Sequence, residues 1–338
     1  AVIDKVGGKW TVVYNINSEY SDVYSISFSD LTGDGVNEFI VLWDVISNSV
    51  NHVLYVYAQN LSGEYSLSPI GSELTVNNCI TVDMDLDTVN EMLAFTIESG
   101  DSVSSTATLY EYSLNGRETL GRTKLDGHIS YYSDIQYNVD EDRVYIYADA
   151  VKSDGTQMLT EVIYWSDYYD TIISPFYSYS NGTTSSTVRS SMISCDDVDD
   201  DGIIEIPTDV QMDGIPSDVK AVEWNKYNDS VLVTACYSLV VQKDQYQLII
   251  PDEYFDEIKV LYSPESSLLT VTDDNDNSLF SVMCVLKAHY NPSSSAYKGF
   301  SEIDESSGYV YLAQEGESGN ADFSVQSVKS MIRTDKGE

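Results

Sequence analysis

SFSDLTGDGVNEFIVLW, residues 27–43, is the stretch whose reading decides the fold. Oxygen side chains stand at Asp30, Thr32, Asp34 and Glu38, positions 1, 3, 5 and 9 of a loop. Calcium takes about six to eight oxygens at roughly 2.3–2.6 Å, and a short loop supplies them only if every second residue turns inward. Here the donors are Asp30, Thr32, Asp34, the carbonyl of Val36, and Glu38. Gly35 at position 6 suits the sharp turn such a loop needs. The flanks, Tyr24 to Phe28 and Phe39 to Trp43, alternate or are rich in β-branched and aromatic residues, which favours strands.

The loop recurs. DMDLDTVNE offers Asp83, Asp85, Asp87, the Val89 carbonyl and Glu91, and DVDDDGIIE offers Asp197, Asp199, Asp201, the Ile203 carbonyl and Glu205. A worn copy, DIQYNVDED, runs from Asp134 to Asp142 and has Gln136, Asn138 and Val139 where acids and a turn residue are expected, so it is read as weak or empty. Thr88 replaces the glycine of position 6, which predicts a distorted second loop. An EF-hand does not fit: it needs a glutamate at position 12, where this chain has Val41, Ala94 and Thr208, and it needs helical flanks. Metal-free acidic hairpin turns are the plainer alternative for any one loop; recurrence in register argues for calcium.

An aromatic strand follows each loop: Leu54-Tyr55-Val56-Tyr57, Leu109-Tyr110-Glu111-Tyr112, Ile163-Tyr164-Trp165 and Val222-Glu223-Trp224. Turns and further strands come after, around Gly63-Glu64-Tyr65 and Asn115-Gly116. The first aspartates are 53, 51 and 63 residues apart. Such a period with about four strands per unit predicts a mainly β chain of propeller blades, stacked because one sheet cannot bury both its faces. SFSDLTGDGVNEFIVLW and SCDDVDDDGIIEIP resemble the FG-GAP/VCBS repeats of integrin-type β-propellers. The resemblance covers about residues 1–235 and implies a calcium-bearing propeller on a secreted or cell-surface protein. It departs from the family in ending each loop on glutamate rather than aspartate, and in lacking the Phe-Gly…Gly-Ala-Pro signature. The broader group shares architecture rather than one activity.

The expected domains are blades over 1–240, with loops at 30–38, 83–91, 134–142 and 197–205, and a C-terminal α+β module over 241–338. Ala1-Val2-Ile3-Asp4 and Gly7 to Tyr14 read as the last two strands of a blade whose first half lies upstream, where a leader or lipid anchor would also lie. In the tail, Tyr246 to Ile250, Ile258 to Tyr262, Leu268 to Val271, Leu279 to Leu286 and Tyr309 to Leu312 read as strands. Asp252 to Phe255 reads as a helical turn and Asp273 to Asn277 as a hairpin turn. Phe323, Val325, Val328, Met331 and Ile332 recur at helical spacing, with Asn320 or Asp322 as the cap. Two degenerate blades are the rival reading of this segment.

The 338 residues carry 55 acids against 17 basic residues, a formal charge of −38. A calcium ion in every loop would offset only a fraction of that. The charge opposes nucleic acid and anionic membranes, and the sequence has no membrane-spanning run. Cys79, Cys195, Cys236 and Cys284 form no CxxC pair and read as buried small hydrophobes. Sequons stand at Asn60, Asn181 and Asn228. His52, His128 and His289 enter no catalytic motif, and there is no GxSxG, P-loop or GxGxxG fingerprint. Glycosidases need two free carboxyl groups, yet the obvious acid clusters are the loops themselves. The 27 tyrosines read first as cross-strand packing. The reading is a non-enzymatic, extracellular or cell-surface protein that presents a face to a glycan or protein ligand; the alternative is an extracellular polysaccharide-active enzyme.

Overall fold

The computed structural model describes every residue except 1, 17, 18, 21, 46–50, 61–65, 99–102, 141, 230 and 335–338, with the backbone alone at Asp4, Asn60 and Ser66. The turn expected around Gly63 to Tyr65 lies outside the described residues, as does Glu141. The chain is mainly β and built of antiparallel sheets. It divides into two compact units, Ala1–Val188 and Arg189–Glu338.

The first unit opens with a hairpin, β1 (Val2–Val6) and β2 (Lys9–Tyr14). Three antiparallel meanders follow. The first is β3 (Asp22–Ser29), β4 (Glu38–Asp44), β5 (His52–Asn60) and β6 (Ser66–Val76). Next come β7 (Asn78–Val82), β8 (Glu91–Glu98), β9 (Ser104–Ser113) and β10 (Gly116–Leu125). The third is β11 (Ile129–Asp140), β12 (Arg143–Lys152), β13 (Met158–Ser166) and β14 (Thr171–Ile173). A two-residue pair, β15 (Tyr177–Ser178) and β16 (Thr183–Thr184), closes the unit.

Side chains alternate across a strand, and here both faces are covered, which is why the second strands read as unbroken apolar runs. In β4, Phe39, Val41 and Trp43 pack towards Tyr14 and Val13 of the hairpin, while Ile40 and Leu42 pack with Met92, Ala94, Tyr110 and Tyr112 of the second meander. In β8, Met92 and Ala94 face back, and Leu93 and Phe95 face forward to Ile146, Ala148 and Leu159 of the third. The three sheets of this unit therefore stack face on face in chain order. Each fully buried aliphatic or aromatic side chain is worth roughly 1.5–3 kcal/mol in area removed from water.

The worn copy is not a loop at the expected register. Asp134 to Asp140 continues β11, with Asp134 opposite Asp149 and Asp140 opposite Arg143, so the ladder runs on where the other copies leave it for a loop. Tyr137 opposite Ile146 and Val139 opposite Val144 extend the ladder with good strand formers, which outcompete a loop that has lost its acids.

The second unit begins with an irregular segment that is tied to the chain by the bridge Asp196↔Glu205 just before its loop. Cys195 thus precedes its loop on irregular chain, whereas Cys79 lies in β7. Asp209 braces the segment, accepting from the Ser190 hydroxyl at 2.7 Å and the Ser191 N–H at 3.0 Å. One sheet runs β17 (Ile206–Asp209), β18 (Lys220–Asn228), β19 (Val231–Val241), β20 (Tyr246–Ile250) and β26 (Ile332–Thr334). The other runs β21 (Ile258–Ser263), β22 (Leu268–Asp273), β23 (Ser278–Leu286), β25 (Tyr309–Glu315) and β24 (Ser301–Glu305). The sheets share a core that includes Leu239, Leu248, Val271, Phe280 and Tyr311, joined by Phe323 and Val328. β20, β21, β22, β23, β25 and the short helix α1 (Asp252–Phe255) fall at the expected segments, whereas β24 and β26 were not expected and the tail helix α2 (Val325–Met331) is shorter than expected, Phe323 lying in a separate turn and Ile332 in β26. Asn320 caps a separate turn, and Ser324 caps α2 by accepting from the Ser327 N–H. The expected boundary near residue 240 does not separate the units: Val240 and Val241 lie in β19, which pairs with β20. The tail strands therefore share their ladder with β17–β19.

Candidate metal centre

Three acid loops stand in the described structure: Asp30–Glu38 between β3 and β4, Asp83–Glu91 between β7 and β8, and Asp197–Glu205 ahead of β17. They share one internal frame. The position-1 carboxylate accepts two loop N–H groups: Asp30 from Gly33 and Gly35, Asp83 from Asp87 and Thr88, and Asp197 from Asp201 and Gly202, all at 2.8–3.0 Å. The position-5 aspartate accepts the N–H two residues on, from Val36, Val89 or Ile203. The position-9 glutamate reaches back through Oε2 to the position-2 N–H, of Leu31, Met84 or Val198, at 2.8–2.9 Å. Aspartate's arm is one methylene shorter, so glutamate here serves the frame as well as the cage. Charge-assisted bonds of this kind contribute about 1.5–3 kcal/mol each.

Two features of the frame went unnoticed in the sequence. Position 2 is a buried apolar anchor in every loop: Leu31, Met84 and Val198 are at most 2% exposed. Positions 4 and 6 both take left-handed backbone: Gly33 (φ 70°) and Gly35 (82°), Leu86 (61°) and Thr88 (81°), Asp200 (61°) and Gly202 (87°). Thr88 therefore keeps the turn that its identity argued against. A β-branched residue there stores strain of about 1–3 kcal/mol. The recurring apolar residue after the first aspartate was the signal for the anchor; at position 4 Gly33 marked the bend in the first loop, and Leu86 gave no such mark in the second.

The loops differ in what they gather. Asp83, Asp85 and Glu91 bring one oxygen each within 4.8 Å of one another, and so do Asp197, Asp199 and Glu205. Among the described residues, these two triads are groups with the spacing to hold a metal ion. In the first loop Thr32 stands at position 3, its hydroxyl 3.4 Å from Glu38 Oε1, and Asp30, Asp34 and Glu38 form no comparable cluster. Asp34, Asp87 and Asp201 hold the turn at position 5 and lie outside the triads, as do Val36, Val89 and Ile203.

Burial pushes Glu38 above the usual carboxylate range and pushes Glu91 to about 7, with Asp85 and Asp87 adding repulsion. Asp85 is raised by burial and then by Asp87. A cavity of about 270 Å³ within the first unit opens beside this loop and is lined by Asp85, Glu91, Trp165 and Asp170 among others. Glu205 is likewise raised to about 7 by burial, but its loop contains a cation. The Lys226 ammonium lies 3.0 Å from Asp199 Oδ2 and 3.4 Å from Glu205 Oε1, and it contacts Asp201. Asp201 is held below its ordinary value by that lysine. Arg333 adds bonds to the Val198 carbonyl (3.3 Å) and to Asp200 (3.0 Å). Among the described residues, no lysine or arginine pairs with an acid of the 30–38 or 83–91 loop.

A second carboxylate pair, missed in the sequence, lies in the first unit. Asp126 and Glu161 are both fully buried. Glu161 accepts from the Asp126 N–H (2.7 Å), the Ser174 hydroxyl (3.0 Å) and the Thr184 hydroxyl (2.9 Å). Asp126 pairs with Lys152 at 3.0 Å and accepts from the His128 and Thr184 N–H groups. Burial raises Glu161 to about 7. Burial alone would raise Asp126 too, but the His128 N–H, Lys152 and the Thr184 N–H draw it below its ordinary value. Sealed from water, the pair pins Ser174 and Thr184 to β13. None of the four cysteines forms a disulfide, and burial lifts the Cys79, Cys236 and Cys284 thiols to about 12. Among the described residues no helix is long and apolar enough to cross a membrane.

A scan against protein-family models gives no match, and no curated protein matches the chain. Among solved structures, a GDP-Man-dependent mannosyltransferase from Leishmania mexicana is similar at 9% identity over 76% of this chain and 85% of its own, with a TM-score of 0.29. A likeness that faint carries no argument about fold or activity.

Proposed function

We propose that the chain is a non-enzymatic β scaffold of propeller-type blades, stiffened by calcium at the 83–91 loop, that presents a binding face to a glycan or protein outside the cell. The observation that carries the reading is the gathering of Asp83, Asp85 and Glu91 oxygens within 4.8 Å, with no lysine or arginine among the described residues to neutralise them. Asp83, Asp85 and Glu91 would hold the ion, and a divalent charge there would relieve their mutual repulsion and tie the loop to β8. Face-on-face stacking of the first unit's meanders supports the blade reading. The cavity edged by Asp85, Glu91 and Trp165 is a concave place for a sugar to meet an aromatic face.

Chelation is the test. Removing calcium should lower the melting temperature, and restoring it should reverse the loss; an unchanged melting curve and circular dichroism spectrum in EDTA defeat the metal role. A glycan panel assayed for both capture and product release separates binding from turnover. Hydrolysis would need an accessible acid pair outside the loops, which the sealed Asp126 and Glu161 do not provide.

A further inference from the structure

The residue facing the last glutamate of each loop differs along the sheets. Phe39 pairs with Tyr57 and Met92 with Tyr110, so one register step back Glu38 faces Ala58 and Glu91 faces Glu111. Ile206 pairs with Asn225, and the same step sets Glu205 against Lys226. The lysine lies on β18, outside the loop, and its ammonium enters the cage from the neighbouring strand. Glu205 is fully buried, and its Oε1 has no hydrogen-bond partner; the ammonium at 3.4 Å is the charge it faces. An oxygen so placed, with Asp197 and Asp199 converging on it, demands a cation.

We propose that Lys226 is a built-in counter-cation: its ammonium takes the place of a divalent ion, so the 197–205 loop closes without metal, and removing that charge uncovers a latent calcium site at Asp197, Asp199 and Glu205. Three donors on a single positive charge satisfy the cage partly, as a compact ammonium can; a doubly charged ion would have to expel it. Arg333 holds the Val198 carbonyl and Asp200 from the rim, away from the triad, so it braces the closed loop without filling it. The inference concerns this loop alone and stands whether or not the 83–91 loop takes calcium.

The test is calorimetric titration of the metal-free full chain with calcium chloride. Lys226→Met should bind one more ion per chain than the unaltered protein, and adding Glu205→Gln to it should abolish the gain. Glu205→Gln in the otherwise unaltered chain should leave calcium binding as it was. A folded Lys226→Met variant with unchanged stoichiometry overturns the proposal, as does loss of a calcium ion on Glu205→Gln alone. Should Lys226→Met be unfolded without metal, recovery of its circular dichroism by calcium but not by sodium supports the proposal, and failure of calcium to restore it counts against. If the unaltered chain binds no calcium while Lys226→Met binds one ion, the metal role of the 83–91 loop fails and the lysine's role stands.

Discussion

The loops at 83–91 and 197–205 have the same skeleton and opposite charge solutions. Both fold their first aspartate onto two N–H groups, plug position 2 into a core and bend left-handed twice. One then faces Glu111 across the strand pair, and the other faces Lys226. The acid pattern therefore specifies a loop conformation, and the residue across the ladder decides whether its charge is met from inside the chain or from solvent. If the proposal holds, an acidic repeat alone overstates the number of metal sites.

The largest effect should come from Glu205→Ala, which strips Lys226 of a partner and leaves the Val198 N–H buried without an acceptor. A loss of about 2–3 kcal/mol is expected in urea unfolding, after discounting for the partly exposed lysine, and it should not depend on calcium. Glu91→Ala also leaves the buried Met84 N–H without its acceptor, so it should cost stability in EDTA as well, but unlike Glu205→Ala its loss should grow when calcium is added. Equal calcium dependence in the two variants would erase the distinction between the loops.

The sealed pair tests how the chain handles acids that no external cation can reach. Glu161 has its folded value raised to about 7, above the 4.5 of an ordinary glutamate. A raised carboxyl binds more protons folded than unfolded, so its contribution is fully present below pH 4.5 and is lost as pH rises through 7. Metal-free protein should thus gain stability on acidification from neutral towards pH 5, with unfolding midpoints as the readout. Glu161→Gln should make that slope shallower, since Glu91 and Glu205 are raised as well, and should cost about 1–2 kcal/mol at pH 5. A slope unchanged by the substitution would mean that Glu161 does not carry it.

Thr88→Gly should stabilise the 83–91 loop by about 1 kcal/mol, because the two sister loops already use glycine there and Thr88 sits at φ 81°. A loss of stability would mean that Thr88 makes contacts outweighing its strain. Asn90→Ala, which removes a 2.9 Å bond to the Ser29 hydroxyl at the base of the first loop, should cost about 1 kcal/mol and leave calcium binding intact.

Much of this was legible in the sequence because it depends on local pattern. Asp30, Asp83 and Asp197 mark their loops correctly, and runs such as Phe39 to Trp43 announce strands covered on both faces. Asp134 misled because a degenerate acid pattern is weaker than the strand propensity of Tyr137 and Val139, which keep Asp134 to Asp140 in β11. The position-4 bend was invisible as a recurring feature because Gly33 marks it in the first loop while Leu86 adopts it without any residue-type signal. Lys226 and the Asp126–Glu161 pair were invisible for another reason: each meets its partners only through strand register or through folding of the 174–184 segment. Neither distance can be read along a chain.

A calcium-soaked crystal structure is the most direct measurement. The account predicts metal density among Asp83, Asp85 and Glu91, with the Lys226 ammonium still seated against Asp199 and Glu205. An empty 83–91 cage, or an ion in the 197–205 loop with the lysine swung out, would contradict it.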